Sequence, residues 1–246
     1  MIAVPFWLGM PRLELLGQMP AADEVLMPAL PDAAPQQRLA VLYRHLAERV
    51  ATSARMPMVL AGDCLAALGV AAGLQRRGVD PVLVWLDAHG DFHTWETSRS
   101  GFLGGMPLAM MVGRGEQSIV EALGLLPLQE ERVVLVDGRE HDRGEDLALA
   151  GSRLAHLPVT DWRTRDLPSG PLYVHVDVDV VDPAEMPALE YPAPGGPMLQ
   201  EVRAELGGLV ATGRVAAISV ACTWKPADPA AEQAAAATGV LLQAMG

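Results

Sequence analysis

The segment Asp87-Ala-His-Gly-Asp-Phe-His93 sets two carboxylates and an imidazole at alternate positions directly after the apolar run Pro81-Val-Leu-Val-Trp-Leu86. Side chains at i, i+2 and i+4 of an extended chain share a face, so Asp87, His89 and Asp91 are placed to converge at a strand end. A second run, His175-Val-Asp-Val-Asp-Val-Val-Asp-Pro183, follows another apolar stretch and offers Asp177 and Asp179 two residues apart. Gathering these ionisable groups costs free energy unless opposite charge compensates them. Oxygen and imidazole donors suit divalent Mn, Fe, Co, Ni or Zn, and donors from two strand ends suit two ions better than one. The competing reading is that aspartates after strands cap the next helix or solvate a turn. Two runs with the same pattern, one containing histidine, favour metal.

Short apolar runs alternate with longer amphipathic ones along the chain, the pattern of βα units around a parallel sheet. Strands are predicted at Ile2–Phe6, Met58–Ala61, Val82–Leu86, Arg132–Val136, Leu172–Val176 and Val215–Val220. Helices are predicted at Ala34–Thr52, Cys64–Arg77, Gly105–Val112, Glu140–Ala150, Gln200–Ala211 and Asp228–Met245, the first with Leu39, Leu42, Leu46 and Val50 on one face. The polar clusters then all fall at the carboxyl ends of strands, where ligands bind in open α/β sheets. The Pro- and Gly-rich stretch Pro187–Pro197 reads as a loop that could serve as a lid or substrate wall.

The 246 residues suffice for a single α/β domain over 1–246. Half are hydrophobic and 4% aromatic, which fits close helix-on-sheet packing. A net charge of -12 argues against nucleic acid as a partner, because phosphate binding needs clustered Lys and Arg. No apolar run reaches the ~20 residues of a membrane helix, and Met1-Ile-Ala-Val-Pro-Phe-Trp7 lacks the basic start and cleavage pattern of a signal peptide. Two cysteines, Cys64 and Cys222, are too few for a disulfide scaffold. A cytoplasmic protein acting on a small molecule is expected.

These motifs resemble those of the ureohydrolases: arginase, agmatinase, formiminoglutamase and their relatives. The resemblance rests on Ala61-Gly-Asp-Cys64, Asp87 to His93, Gly138-Arg-Glu-His-Asp-Arg-Gly-Glu145, Val176 to Pro183 and Ser219-Val-Ala-Cys222, in that order. It implies a three-layer α/β/α sandwich around a mostly parallel sheet of about eight strands, assembled as a trimer or hexamer. It also implies two Mn ions whose shared hydroxide attacks an amidine carbon. By resemblance Asp87 and Asp177 bridge both ions, His89 and Asp179 complete one site, and Asp91 completes the other while accepting a hydrogen bond from the hydroxide.

Three positions depart from the family. Cys64 stands where the family has a histidine ligand; a helix start favours its thiolate, and sulfur would shift preference from Mn towards Zn, Fe, Co or Ni. The alternative is a small buried residue beside a single occupied site. In Ser100-Gly-Phe-Leu-Gly-Gly-Met-Pro107, Phe102 replaces an asparagine and Gly104 a proton-transfer histidine, which leaves His93 as the candidate for general-acid work, or else as a residue that supports a metal ligand or lines the wall. Cys222 is aligned with the glutamate that holds a guanidinium, so arginine is disfavoured as substrate. Asp142 and Glu145 match positions that recognise an amino-acid end, or are first-turn helix acids. Ser100 and Cys222 join His93, Asp142 and Glu145 as substrate-binding candidates, with Phe92, Trp95, Phe102, Met106 and Trp224 as pocket walls.

Two functions follow as expectations. One is a binuclear-metal hydrolase acting on a linear C–N bond of a non-arginine amidine, guanidino or amide-like substrate, with Asp91 and His93 as catalytic groups. The other is an inactive pseudoenzyme, a metal-stabilised scaffold or small-molecule binder. A single-Zn arrangement of the histone-deacetylase kind shares an Asp-x-His pair, but Asp91 and the Asp177-x-Asp179 pattern favour two metals.

Overall fold

A computed structural model describes residues 1–159 and 167–245. Ten strands are present among them: β1 (Ile2–Val4), β2 (Phe6–Trp7), β3 (Met10–Pro11), β4 (Glu24–Val25), β5 (Met58–Ala61), β6 (Val82–His89), β7 (Val133–Glu140), β8 (Ala155–Leu157), β9 (Leu172–Asp177) and β10 (Val215–Ala221). The helices are α1 (Glu14–Gln18), α2 (Pro35–Thr52), α3 (Ala66–Arg76), α4 (Pro107–Met111), α5 (Ser118–Leu123), α6 (Arg143–Ala150), α7 (Leu199–Ala211) and α8 (Ala231–Gln243). Eight strands form one sheet in the order β4-β1-β5-β10-β9-β6-β7-β8. Every pairing in it is parallel.

The central strands β6 and β9 are almost continuously apolar until their last residues, as a sheet covered on both faces demands. Buried side chains divide into two clusters, one on each face. On one face α2, α3, α4 and α5 contribute residues such as Leu42, Leu46, Leu68, Met110 and Val120. On the other, α1, α7 and α8 contribute Leu15, Leu206 and Leu241. The result is the expected three-layer α/β/α sandwich. The leucine face of α2 is fully buried, as its 3.6-residue period requires.

The structure corrects several boundaries. Phe6 leaves β1 and pairs in a two-stranded hairpin with β3, turning at Leu8, whose φ is 50°. Strands β6 and β7 run three and four residues past their apolar cores: β6 carries Asp87 and His89 on to the site, and β7 passes through left-handed Asp137 and Gly138, φ 80° and 56°, with a shift of register against β6. The helix expected over Gly105–Val112 divides into a 3-10 turn, Leu103–Gly105, and α4, which starts at Pro107. Glu140 ends β7, and α6 begins only after Asp142, whose side chain accepts from the Gly144 and Glu145 amides at 2.7 and 3.1 Å. Strands β4 and β8 and helices α1 and α5 had no distinct sequence signal because they are two to six residues long.

Candidate metal centre and its cavity

The carboxyl ends of five adjacent strands, β5, β10, β9, β6 and β7, open into one cavity of about 600 Å³. Strand β5 leads into Asp63 and Cys64. Asp63 is buried and saturated: the Tyr43 hydroxyl donates to it at 2.8 Å, the Leu8 amide at 2.6 Å and the Leu65 amide at 3.1 Å. It thereby fastens the β2–β3 hairpin beside Cys64. Gly62 allows that approach, since a Cβ there would lie 2.3 Å from the Phe6 carbonyl oxygen.

Strand β6 carries Asp87 and His89. Asp87 accepts from the Trp85 indole at 3.0 Å and from the His89 amide at 2.7 Å. Asp91 reaches the same centre through a left-handed turn, φ 48°, rather than through the extended alternation expected. Its carbonyl takes the Leu108 and Ala109 amides at 3.0 and 3.2 Å, so α4 holds the strained turn in place. Strand β9 supplies Asp177, and the 3-10 turn after it supplies Asp179. Arg139 anchors that turn by donating to the Asp179, Val180 and Ala193 carbonyls while pairing with Asp137.

Six predicted ligands are thus brought together. Cys64, Asp87 and Asp91 present donor atoms within 4.8 Å of one another, as do Asp87, His89 and Asp179, and Asp87 belongs to both groups. Asp177 sits between them, accepting from the Cys64 thiol at 2.9 Å and from Thr223 at 2.5 Å. Burial, with Asp87 next, raises the Asp91 carboxyl well above the usual range. Burial followed by Asp179 and Asp87 does the same to Asp177, and burial followed by Asp87 lifts Asp179 to about 6. Burial alone would lower His89, but hydrogen bonds to Asp179 and Asp87 outweigh it and raise the imidazole to about 12.

This negative field calls for cations or protons. The Asp91 Oδ2 atom is buried without a hydrogen-bond partner, and the donors separate into two groups sharing one carboxylate. The residues present fit two divalent cations on both counts. Cys64 lies two residues ahead of α3, and burial, followed by Asp177, Asp91 and Asp87, pushes its thiol pKa up. A cation held there would supply the opposite charge that favours the thiolate.

The substrate candidates separate. His93, Ser100, Asp142 and Glu145 line the cavity, but Cys222 does not. Cys222 is 1% exposed and packs with Val220 and Trp224 on the opposite face of β10. The residue facing the site is Thr223, which corrects the sequence reading by one position and therefore by one face. His93 approaches Glu145 Oε2 at 3.7 Å and Asp142 Oδ1 at 4.0 Å through Nε2, while Nδ1 is 3.1 Å from Thr97 Oγ1. Glu145 accepts from the Phe92 amide at 2.7 Å, and burial raises its carboxyl to about 7. Asp142 lines the cavity and also caps α6.

The wall also differs from expectation. Phe92, Met106 and Trp224 are fully buried core, and Trp95 is outside the lining, donating to Glu116 at 3.0 Å. Phe102 does line the cavity, joined by Trp7 and Leu8 from the hairpin and by Glu190, Tyr191 and Pro192 from the Pro187–Pro197 loop. These loop residues lie outside any periodic pattern. Thr223 was legible, because apolar Val220, Cys222 and Trp224 alternate and leave Ser219, Ala221 and Thr223 on the other face.

Among the described residues, no helix is long and apolar enough to cross a membrane. The chain is 35% identical to the arginase of Bacillus subtilis (strain 168) over 162 residues, which are 60% of this chain and 54% of that one. Thus the match spans about half of that relative. It is 29% identical to the N(omega)-hydroxy-L-arginine amidinohydrolase of Streptomyces lavendulae over 227 residues, 91% of this chain and 79% of the relative. The crystal structure of arginase from Bacillus cereus superposes with a TM-score of 0.82 at 23% identity, over 99% of this chain and 96% of that one, and so shares the fold. The family model described as the arginase family matches residues 17–246, and the chain belongs to that family.

Proposed function

We propose that this chain is a binuclear-metal hydrolase that cleaves a linear C–N bond of an amidine or guanidine other than arginine. The observation that carries the reading is the pair of three-donor groups sharing Asp87 at the floor of an open cavity. Cys64, Asp87, Asp91 and Asp177 would hold one cation, and Asp87, His89, Asp177 and Asp179 the other. Bound there, two cations supply a water acidified enough to act as nucleophile near neutral pH.

The protein's own groups do the rest. Asp91, whose Oδ2 is unpartnered, is available to hold the proton of an attacking water. His93 lines the cavity with Nδ1 held at 3.1 Å from Thr97 Oγ1, which leaves Nε2 to deliver a proton to the leaving nitrogen. For a guanidinium substrate one water is consumed, the bond from carbon to the substituted nitrogen breaks, and urea and an ammonium ion leave with charge conserved. Thr223 presents a neutral hydroxyl committed to Asp177 where the family resemblance places a glutamate, so the grip on a cationic C–N group is weaker and the substrate's tail must supply more of the binding. Sulfur in the ligand set favours Zn, Fe, Co or Ni at the Cys64 site, and nitrogen and oxygen donors alone suit Mn at the other. Assembly as a trimer or hexamer is part of the same reading and is checked by light scattering.

The test is a panel of guanidino, formimino, ureido and amide compounds scored for urea, formamide or ammonia release by metal-loaded protein. Turnover lost on chelation and regained on reloading supports the reading. A metal-loaded protein inert to every class contradicts it and favours the scaffold.

A further inference from the structure

The cavity mouth is asymmetric. On one side the rings run outward from the metal floor: His89 and Tyr191 have centroids 6.4 Å apart, Tyr191 and Phe102 5.4 Å, and Phe102 and Trp7 6.3 Å. The centre of this ladder depends on Gly104. A Cβ on that residue would stand 2.5 Å from both Cε1 and Cζ of Phe102, so the ring occupies the space that any side chain at 104 would need. Gly104 therefore does more than omit a histidine, because it seats the aromatic wall.

The other side is acidic. Glu140, Asp142 and Glu145 face the cavity there, Glu190 lies with the ring wall beside Tyr191, and among the described residues lining the cavity none is Lys or Arg. Arg12, the nearby guanidinium, is committed: it pairs with Glu190 at 2.7 Å and lies 4.4 Å over the Trp7 ring. His141 is engaged by Asp146 at 2.6 Å. Arg99, exposed between the lining Ser98 and Ser100 and near Asp142, offsets part of this charge, whereas a flat apolar group finds ring faces on the opposite side.

We infer that the substrate joins its cationic C–N group to a flat apolar tail that stacks on Phe102 and Tyr191, the ring wall seated by Gly104. This rests on the hydrolase reading above and narrows it to aryl- or aralkyl-guanidines and amidines. Phe102 and Gly104 are specificity determinants and take no part in the bond-breaking step.

Calorimetric titration of the metal-loaded protein with methylguanidine, 2-phenylethylguanidine and arginine tests it. The phenylethyl compound is expected to bind about tenfold or more tightly than the other two, one stacked ring contributing on that order. Phe102→Ala removes about tenfold of that affinity and leaves methylguanidine within about twofold. Gly104→Ala, whose methyl group displaces the ring, gives the same selective loss at unchanged metal content. Arginine binding as tightly as the phenylethyl compound, or a Phe102→Ala loss shared equally by all three ligands, overturns the inference alone. Failure of all three to bind, methylguanidine included, overturns the hydrolase reading with it.

Discussion

At the floor of the cavity the donors are buried, come from strand ends and are cross-braced by backbone amides, Trp85, Thr223 and Arg139. At the mouth the side chains come from a hairpin, a 3-10 turn and the Pro187–Pro197 loop, and Tyr191 is 46% exposed. The floor holds a charge arrangement that cations or protons stabilise, while the mouth combines a ring wall with acidic side chains. Chemistry set by a sheet edge is rigid; selectivity set by loops is free to change without disturbing it. Of the departures, Cys64 and Thr223 belong to the floor and Gly104 to the mouth.

Substitutions separate the two regions. Asp87→Asn touches the carboxylate common to both donor groups, so metal content should fall towards zero and turnover by at least ~10⁴-fold. Retention of both ions by that variant would show that the floor is not organised around Asp87. Next in size, His93→Ala should lower kcat by about 10²–10³-fold with metal content unchanged. Equal turnover in that variant would remove His93 from proton transfer and leave it a wall residue.

Thr223→Val deletes the hydroxyl that orients Asp177 and should weaken metal binding by roughly 10–100-fold, the usual range for a group supporting a ligand. The smallest effect belongs to its neighbour. Cys222→Ala lies on the opposite face and should cost about 1 kcal/mol of stability while leaving KM and metal affinity alone, as thermal unfolding and kinetics will read. A reversal of these two results would restore Cys222 to the site.

The floor was legible because carboxylates interrupting apolar strands have few structural uses, and Asp87, His89, Asp177 and Asp179 carry that pattern openly. Parallel order and layering followed from the same alternation. The mouth was not legible, because Trp7, Leu8, Glu190 and Tyr191 are brought in by loop geometry, and single aromatics near a site are indistinguishable from core: Phe92 and Trp224 proved to be core, Phe102 a wall. Asp91 shows a subtler limit. Its place was right, but a left-handed turn held by α4 sets it there, and alternation does not encode such a turn. The thiol of Cys64 illustrates the same limit in energetics, since burial, followed by three carboxylates distant in sequence, holds its pKa up.

The central claim is that this floor holds two cations with Cys64 as a ligand to one of them. Titration of chelator-stripped protein with Co(II), followed by metal analysis and by near-ultraviolet absorption, tests it directly. The account predicts two equivalents bound per chain and a thiolate-to-cobalt charge-transfer band that disappears in Cys64→Ser. One equivalent or none, or a band that survives the substitution, would contradict it.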